Sequence, residues 1–410
     1  MYYICRDMKK ILFIFLIVHC TLNIDNCLCQ WVQVNNGMGN QPVVSLTSSG
    51  SNIFAGTYGG GGVYLSTNNG TSWTLTSLNN QYVISFAVNG NNIFAGTDGI
   101  GVYLSTNNGT IWTQAGLNSR SVPSLAVNGI NIFAGTDYGV YLSTNNGTNW
   151  TLTSLQFTIG WSLAVSGSNI FAGTQNNGVY LSTNNGTNWT QTSLNNQNVY
   201  SLAVNGNNIF AGTGYPGNGL YLSTNNGTTW TQTSLNNVSA FSLAVNGNNI
   251  FAGIYLYNIY DGVMVSNDNG GNWIQRNEGF PKNTSVYAFC ILNNYIFGGT
   301  GNCVYRRPLN ELIGIQPISN EVPNQFSLSQ NYPNPFNPST VISFQLAVNS
   351  FASLKVYDLL GREVATLVNE KLQPGTYEVD WDGTNYSSGL YYYKLVAAGF
   401  TETKKMVLIK

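Results

Sequence analysis

The chain has 410 residues, enough for two or three domains with full cores, yet only 8% of them are charged, about a third of the usual share. A formal net charge of −1 with no basic patch excludes nucleic acid and acidic membrane surfaces as partners. Asn, Gly, Ser and Thr take the place of the missing charges, which predicts a surface that is polar without being ionic.

Residues 1–29 read as a signal peptide. Lys9 and Lys10 precede an unbroken apolar run, Ile11 to Val18, that is shorter than the roughly 20 residues a membrane span needs. Cleavage is expected after Cys29, leaving no membrane span. His19 before Cys20 is too bulky for a lipoprotein signal, and as the only histidine it leaves with the peptide. The mature chain then keeps two cysteines, Cys290 and Cys303. They fall on strands one and three of a single sheet, about 9.6 Å apart, beyond the roughly 7 Å Cα limit for a disulfide. Two buried free thiols are predicted.

From residue 30 to 308 the chain repeats itself. Ile-Phe-Ala-Gly-Thr begins at Ile53, Ile93, Ile132, Ile170 and Ile209, then recurs as Ile250-Phe-Ala-Gly-Ile and Ile296-Phe-Gly-Gly-Thr. Each unit of about 40 residues reads as four short strands, the pattern of a β-propeller blade. In the second unit they are Val83 to Val88, Ile93 to Thr97, Val102 to Thr106 and Trp112 to Gln114, with Asn-Gly turns between. The last unit meets Pro308 without a fourth strand, while Trp31-Val32-Gln33-Val34 stands unpaired at the mature N-terminus. The expectation is a seven-bladed propeller of four-stranded blades, closed by that N-terminal strand. Such a clasp removes open sheet edges, which otherwise aggregate.

Ser66-Thr67-Asn68-Asn69-Gly70-Thr71-Ser72-Trp73, and its counterparts beginning at Ser105, Ser143, Ser182, Ser223 and Ser266, resemble the Asp-box of sialidase-type and sortilin-type propellers. The resemblance implies a structural hairpin between the third and fourth strands, away from any catalytic centre. The aspartate position holds Asn68, Asn107, Asn145, Asn184 and Asn225, and Asp268 only in the last box. Asn accepts the same backbone N–H bonds as Asp.

A rise in charge near residue 310 marks a boundary. Residues 309–325 contain Pro317 and Pro323 and read as a linker. Beyond it, 326–410 reads as a β-sandwich with strands at Val341 to Leu346, Ala352 to Asp358, Thr376 to Trp381, Leu390 to Val396 and Thr403 to Ile409. Asn331-Tyr332-Pro333-Asn334-Pro335-Phe336-Asn337-Pro338, Val356-Tyr357-Asp358-Leu359-Leu360-Gly361-Arg362-Glu363-Val364, and the closing Lys404 to Lys410 resemble the type A sorting domain of type IX secretion substrates. That resemblance implies an Ig-like fold, engagement of the type IX machinery by 326–410, and release or attachment at the cell surface.

No enzyme site is expected. Without a mature histidine there is no Ser/His/Asp triad, and no zinc-ligand cluster or phosphate-cradling loop appears, so no cofactor or metal is predicted. Sialidase-like chemistry needs an arginine cluster, and Arg120, Arg276, Arg306 and Arg307 are too few. Glu278 is the only propeller glutamate. Asp98 and Asp137 are the one carboxylate pair a propeller glycanase would use, and both stand in turn contexts. The units diverge most in the loops between strands two and three. There Tyr58, Asp98, Asp137, Tyr138, Gln175, Tyr215, Tyr255, Tyr257 and Tyr260 form a variable rim suited to stacking and hydrogen bonding with a glycan or protein. Trp161, Tyr200, Phe241 and Pro123 share one position on the innermost strand and read as channel-side packing. The predicted function is a secreted or surface binding, adhesion or scaffolding module. The alternatives are a weak glycoside hydrolase or lyase and a propeller of the assembly-factor kind.

Overall fold

The computed structural model describes residues 30–410 except 215–217, 256–260, 313–315, 320–321, 373 and 385. The signal-peptide reading of 1–29 lies outside those residues, as do Tyr215, Tyr257 and Tyr260. The protein is all-β, with repeated four-stranded antiparallel sheets, as in a β-propeller. Among the described residues seven such sheets lie between Val32 and Pro308. In the second, Val83–Asn89, Asn92–Thr97, Val102–Ser105 and Thr113–Gln114 are hydrogen-bonded in order, and the next four sheets and the first repeat that order. The seventh takes three strands from Val286–Leu292, Tyr295–Thr300 and Val304–Pro308. Its fourth is Val32–Gln33 from the other end of the chain, with Val32 opposite Arg306.

Each letter of the repeated Ile-Phe-Ala-Gly-Thr has a physical reason. Ile93, Phe94 and Ala95 are fully buried, because both faces of their sheet are covered by neighbours. The phenylalanine ring of one sheet lies under the turn glycine of the next: Phe54 under Gly109, Phe94 under Gly147, Phe133 under Gly186. Phe297 of the seventh sheet lies under Gly70 of the first in the same way, so the series returns to its start. At Gly96 a Cβ would collide with Ser85 and with the backbone of Val122 in the following sheet, so only glycine permits that approach. The threonine closes the loop behind it, Thr97 Oγ1 donating to the Gly101 carbonyl at 2.8 Å. The sixth unit has Ile254 instead of threonine, and its second strand runs on to Tyr255.

The C-terminal unit is two four-stranded sheets around one core that includes Phe344, Leu354, Trp381, Tyr393 and Met406. One sheet is ordered Gln316–Ser319, Gly375–Asp382, Ser339–Leu346, Ser327–Leu328. The other is ordered Glu363–Leu372, Ser350–Tyr357, Gly389–Ala397, Phe400–Leu408. Part of the segment read as a linker is therefore sheet: Gln316 and Pro317 pair with Glu378 and Tyr377. An edge strand tolerates Pro317, whose missing N–H made the segment look unstructured. Asn331 fixes the Pro-rich opening, its N–H donating to Tyr393 Oη at 2.8 Å and its side chain to Thr340 Oγ1 at 2.9 Å. Asp358 Oδ1 accepts the N–H groups of Leu360 and Arg362, and these bonds, opposing a burial effect that would raise it, hold the Asp358 carboxyl below its usual range.

Candidate functional site

The loops between strands two and three and the sheet-to-sheet connections lie on one face, tied together by backbone bonds. Tyr58 N–H donates to Pro42, Asp98 to Tyr82, Asp137 to Ser121, Gln175 to Ile159 and Gly214 to Asn198. Outer-strand glutamines hold the same loops: Gln114 Nε2 donates to the Ile100 carbonyl at 2.8 Å and Gln191 Nε2 to Asn177 at 2.7 Å. The polar turns lie between strands three and four, and their geometry is uniform. In five of them the asparagine Oδ1 accepts from the box serine hydroxyl and from the N–H four residues on, as Asn145 does from Ser143 and Asn149. Asp268 does the same in the sixth. Burial would raise its carboxyl, but the bonds from Asn272 and Ser266 prevail and hold it below the ordinary value.

The predicted rim residues divide into small groups. Tyr58 is exposed and packs on Tyr82 with ring centroids 4.9 Å apart. Asp98 is exposed. Asp137 pairs with Arg120 at 3.6 Å, and the Arg120 guanidinium sits 4.9 Å above the Tyr138 ring. Tyr138 meets Phe157 edge-on at 5.1 Å. Asp137, Tyr138 and Gln175 line one open cleft with Phe157, Thr158 and Ile159. Phe157, in one of the sheet-to-sheet connections expected on this face, is 73% exposed in a left-handed turn with φ +61°. The other arginines serve structure. Arg276 is buried, Arg306 donates to the Asn69 carbonyl, and Arg307, 2% exposed, pairs with Glu278 at 2.8 Å. Cys290 and Cys303 are both buried free thiols, and burial pushes Cys290 up to about 11.

A second group joins Trp161, Tyr200 and Phe241, expected as channel-side packing, to the predicted rim residue Tyr255 and to Tyr287, which the sequence reading did not name. Trp161, Tyr200, Phe241 and Tyr287 follow one another on the innermost strands of sheets four to seven, with centroids 5.6, 5.2 and 6.5 Å apart. Tyr255 joins Phe241 at 5.9 Å. Trp161, Tyr200 and Phe241 are half-buried, and Tyr287 is 40% exposed. The corresponding places in the first three sheets hold Val44, Ile84 and Pro123, so aromatics occupy one side only. Among the described residues no helix is long and apolar enough to cross a membrane, and no group of three or more His, Cys, Asp or Glu is placed to hold a metal.

Comparison with known proteins gives the fold and the export route. The chain is similar to the computationally designed Ika8 protein (12% identity, TM-score 0.51, 67% of this chain and 99% of that one). It is also similar to YCF48 bound to D1 peptide (15% identity, TM-score 0.53, 69% and 96%). A third likeness is to the extracellular domain of a putative one component system, BT4673, from B. thetaiotaomicron (20% identity, TM-score 0.57, 78% of this chain), of which the chain spans 45%. At these identities the likeness is one of fold. No curated protein matches the chain. Residues 330–410 match the secretion system C-terminal sorting domain, so the protein carries the signal for type IX export to the cell surface or the medium.

Proposed function

We propose that the protein is a secreted or cell-surface binding, adhesion or scaffolding module. In this reading residues 30–308 form a closed seven-bladed propeller with Asp-box turns, 326–410 form an Ig-like sorting domain, and the rim binds a glycan or protein. The observation that carries it is the crowding of aromatic side chains on one rim of an otherwise repetitive scaffold: Trp161, Tyr200, Phe241, Tyr287 and Phe157. Repeats whose strands barely differ gain a distinct surface only where their loops and rim residues differ. A binder is favoured over a hydrolase by the state of the candidate acids. Asp137 is engaged by Arg120, and Asp98 stands in an exposed turn. The mature chain, screened on glycan and protein arrays, is expected to retain a ligand that the combined Tyr138→Ala and Tyr200→Ala variant loses. Turnover of a polysaccharide, abolished by Asp98→Asn with Asp137→Asn, would overturn this reading in favour of a glycosidase or lyase. The structure of YCF48 with a D1 peptide favours a second reading, a peptide-binding assembly factor on the same fold, which peptide arrays test directly.

A further inference from the structure

We propose that the aromatic arc is the ligand site of the rim and that its ligand is a neutral glycan; this rests on the binding-module reading above. The arc residues stand at a break in the strand pairing that six of the seven sheets share. The register shifts between Gly160 and Ser162, Val199 and Ser201, Ala240 and Ser242, and Val286 and Ala288, as it does between Val43 and Ser45 and between Val83 and Ser85 in the first two sheets. Trp161, Tyr200, Phe241 and Tyr287 are therefore the extra residues of β-bulges, without a partner across the ladder. A bulge re-aims its side chain and frees it from the inward and outward alternation that fixes every other residue of the strand. This explains how one position varies among Val, Ile, Pro, Trp, Tyr and Phe in sheets that are otherwise near copies. Tyr200 also lies over Gly214, the first residue after the second strand, where a Cβ would drive into its ring. Small loop residue and large ring are matched.

Charge then selects the ligand. From Tyr138 to Tyr260 the chain contains no Asp, Glu, Lys, Arg or His. Three of the four arc residues stand in that stretch. The fourth and fifth sheets carry no charged side chain, and Asp261 in the loop of the sixth is buried and accepts from the Ser285 hydroxyl at 3.1 Å. An ionic ligand seated over Trp161 and Tyr200 would therefore lose hydration with no counter-charge from their own sheets to replace it, a cost of several kcal/mol per ion. The groups beside the arc are amides instead. Asn218 Nδ2 donates to Gln197 Oε1 at 2.6 Å, and Asn198 Oδ1 accepts the Asn176 N–H at 2.9 Å. Amides both donate and accept, which matches hydroxyls, and tilted aromatic faces take the C–H faces of sugar rings.

The test uses the full mature chain and measures binding to neutral polysaccharides (β-glucans, mannan, xylan), to anionic ones (alginate, pectate, heparin) and to a protein array. Binding is expected to the neutral class alone, nearly independent of salt. Tyr200→Ala and Phe241→Ala are each expected to weaken it about tenfold or more, Ile84→Ala on the opposite side to leave it unchanged. Gly214→Ala is expected to weaken it by displacing the Tyr200 ring without deleting it, so a folding defect in one variant does not decide the outcome. Binding to anionic polysaccharides or proteins alone overturns the glycan assignment while the binding-module reading survives. Neutral binding indifferent to Tyr200, Phe241 and Gly214 overturns the site. No ligand in any class overturns both.

Discussion

The hydroxyl of Ser85 donates a 2.7 Å hydrogen bond to the carbonyl oxygen of Val122, across the junction between the second and third sheets. Ser45 to Val83, Ser124 to Gly160, Ser201 to Ala240 and Ser242 to Val286 repeat it at four other junctions. Each serine sits against the repeat glycine of its own sheet, as Ser85 does against Gly96. Removing the hydroxyl with Ser85→Ala leaves a buried carbonyl short of a partner and is expected to cost about 1–3 kcal/mol. Gly96→Ala meets backbone, which does not yield, and is expected to cost about 3 kcal/mol or more. Denaturant midpoints check both, and a Gly96→Ala protein as stable as Ser85→Ala would mean that the sheets do not approach as closely as described.

The turns predict a specific tolerance. Every group aimed at Asn145 Oδ1, namely the Ser143 hydroxyl and the Asn149 N–H, is a donor. Asn145→Asp is therefore expected to leave stability at pH 7 within about 0.5 kcal/mol, and Asn145→Ala to cost about 1 kcal/mol. The aspartate variant gains a pH dependence. With its carboxyl depressed as that of Asp268 is, the added stability is present above the ordinary carboxylate value and lost as pH falls through the depressed one. Urea titrations at pH 7 and pH 3 separate the three proteins.

These features were legible in the sequence to different degrees. The sheets were, because each strand carries its own turn punctuation and the repeat supplies many readings of one signal. The pairing of Val32 and Gln33 with Tyr305 and Arg306 was legible from an unpaired tryptophan at one end and a missing strand at the other. Glu363–Leu372 was not, since its burial shows no clean alternation and its pairing with Ser350–Tyr357 shifts register twice. Of the rim, the shared cleft of Tyr138 and Gln175 falls in loops where the repeats differ. The place of Trp161 and Tyr200 on β-bulges was hidden, because a bulge leaves no mark in the hydrophobic pattern. Phe157 depends on a positive φ in a residue that ordinarily avoids it.

Glu311 makes the end of the propeller region sensitive to pH. Burial raises its carboxyl from 4.5 to about 7, against the opposing pull of Arg307 beside it. Unfolding restores the ordinary value, so the stabilisation from the protonated form is complete below pH 4.5 and lost as pH rises through about 7. Glu311→Gln mimics the protonated side chain at every pH. It is expected to flatten the fall in stability across that window and to be about 1 kcal/mol more stable at pH 8, a figure discounted for partial solvent screening. Melting curves from pH 4 to pH 8 for both proteins read this directly, and parallel profiles would remove Glu311 from the account.

The clasp concentrates several interactions on one residue. Trp31 is 1% exposed, stacks on Phe280 at 4.8 Å, and donates from Nε1 to the Arg276 carbonyl at 2.8 Å. Its backbone N–H bonds Glu278, so the N-terminal strand is fixed to the sixth repeat as well as to Val304–Pro308. Trp31→Phe keeps the stacking and loses one hydrogen bond, at an expected cost of about 1 kcal/mol. Trp31→Ala empties the site and is expected to cost about 3–5 kcal/mol. Because the strand it anchors covers the open edge of Val304–Pro308, the alanine variant is further expected to associate as concentration rises, where the phenylalanine variant stays monodisperse. Light scattering against concentration, beside denaturant midpoints, distinguishes the two effects. An alanine variant that loses stability yet remains monodisperse would mean that the strand stays paired without its anchor, and that the backbone ladder alone closes the last sheet.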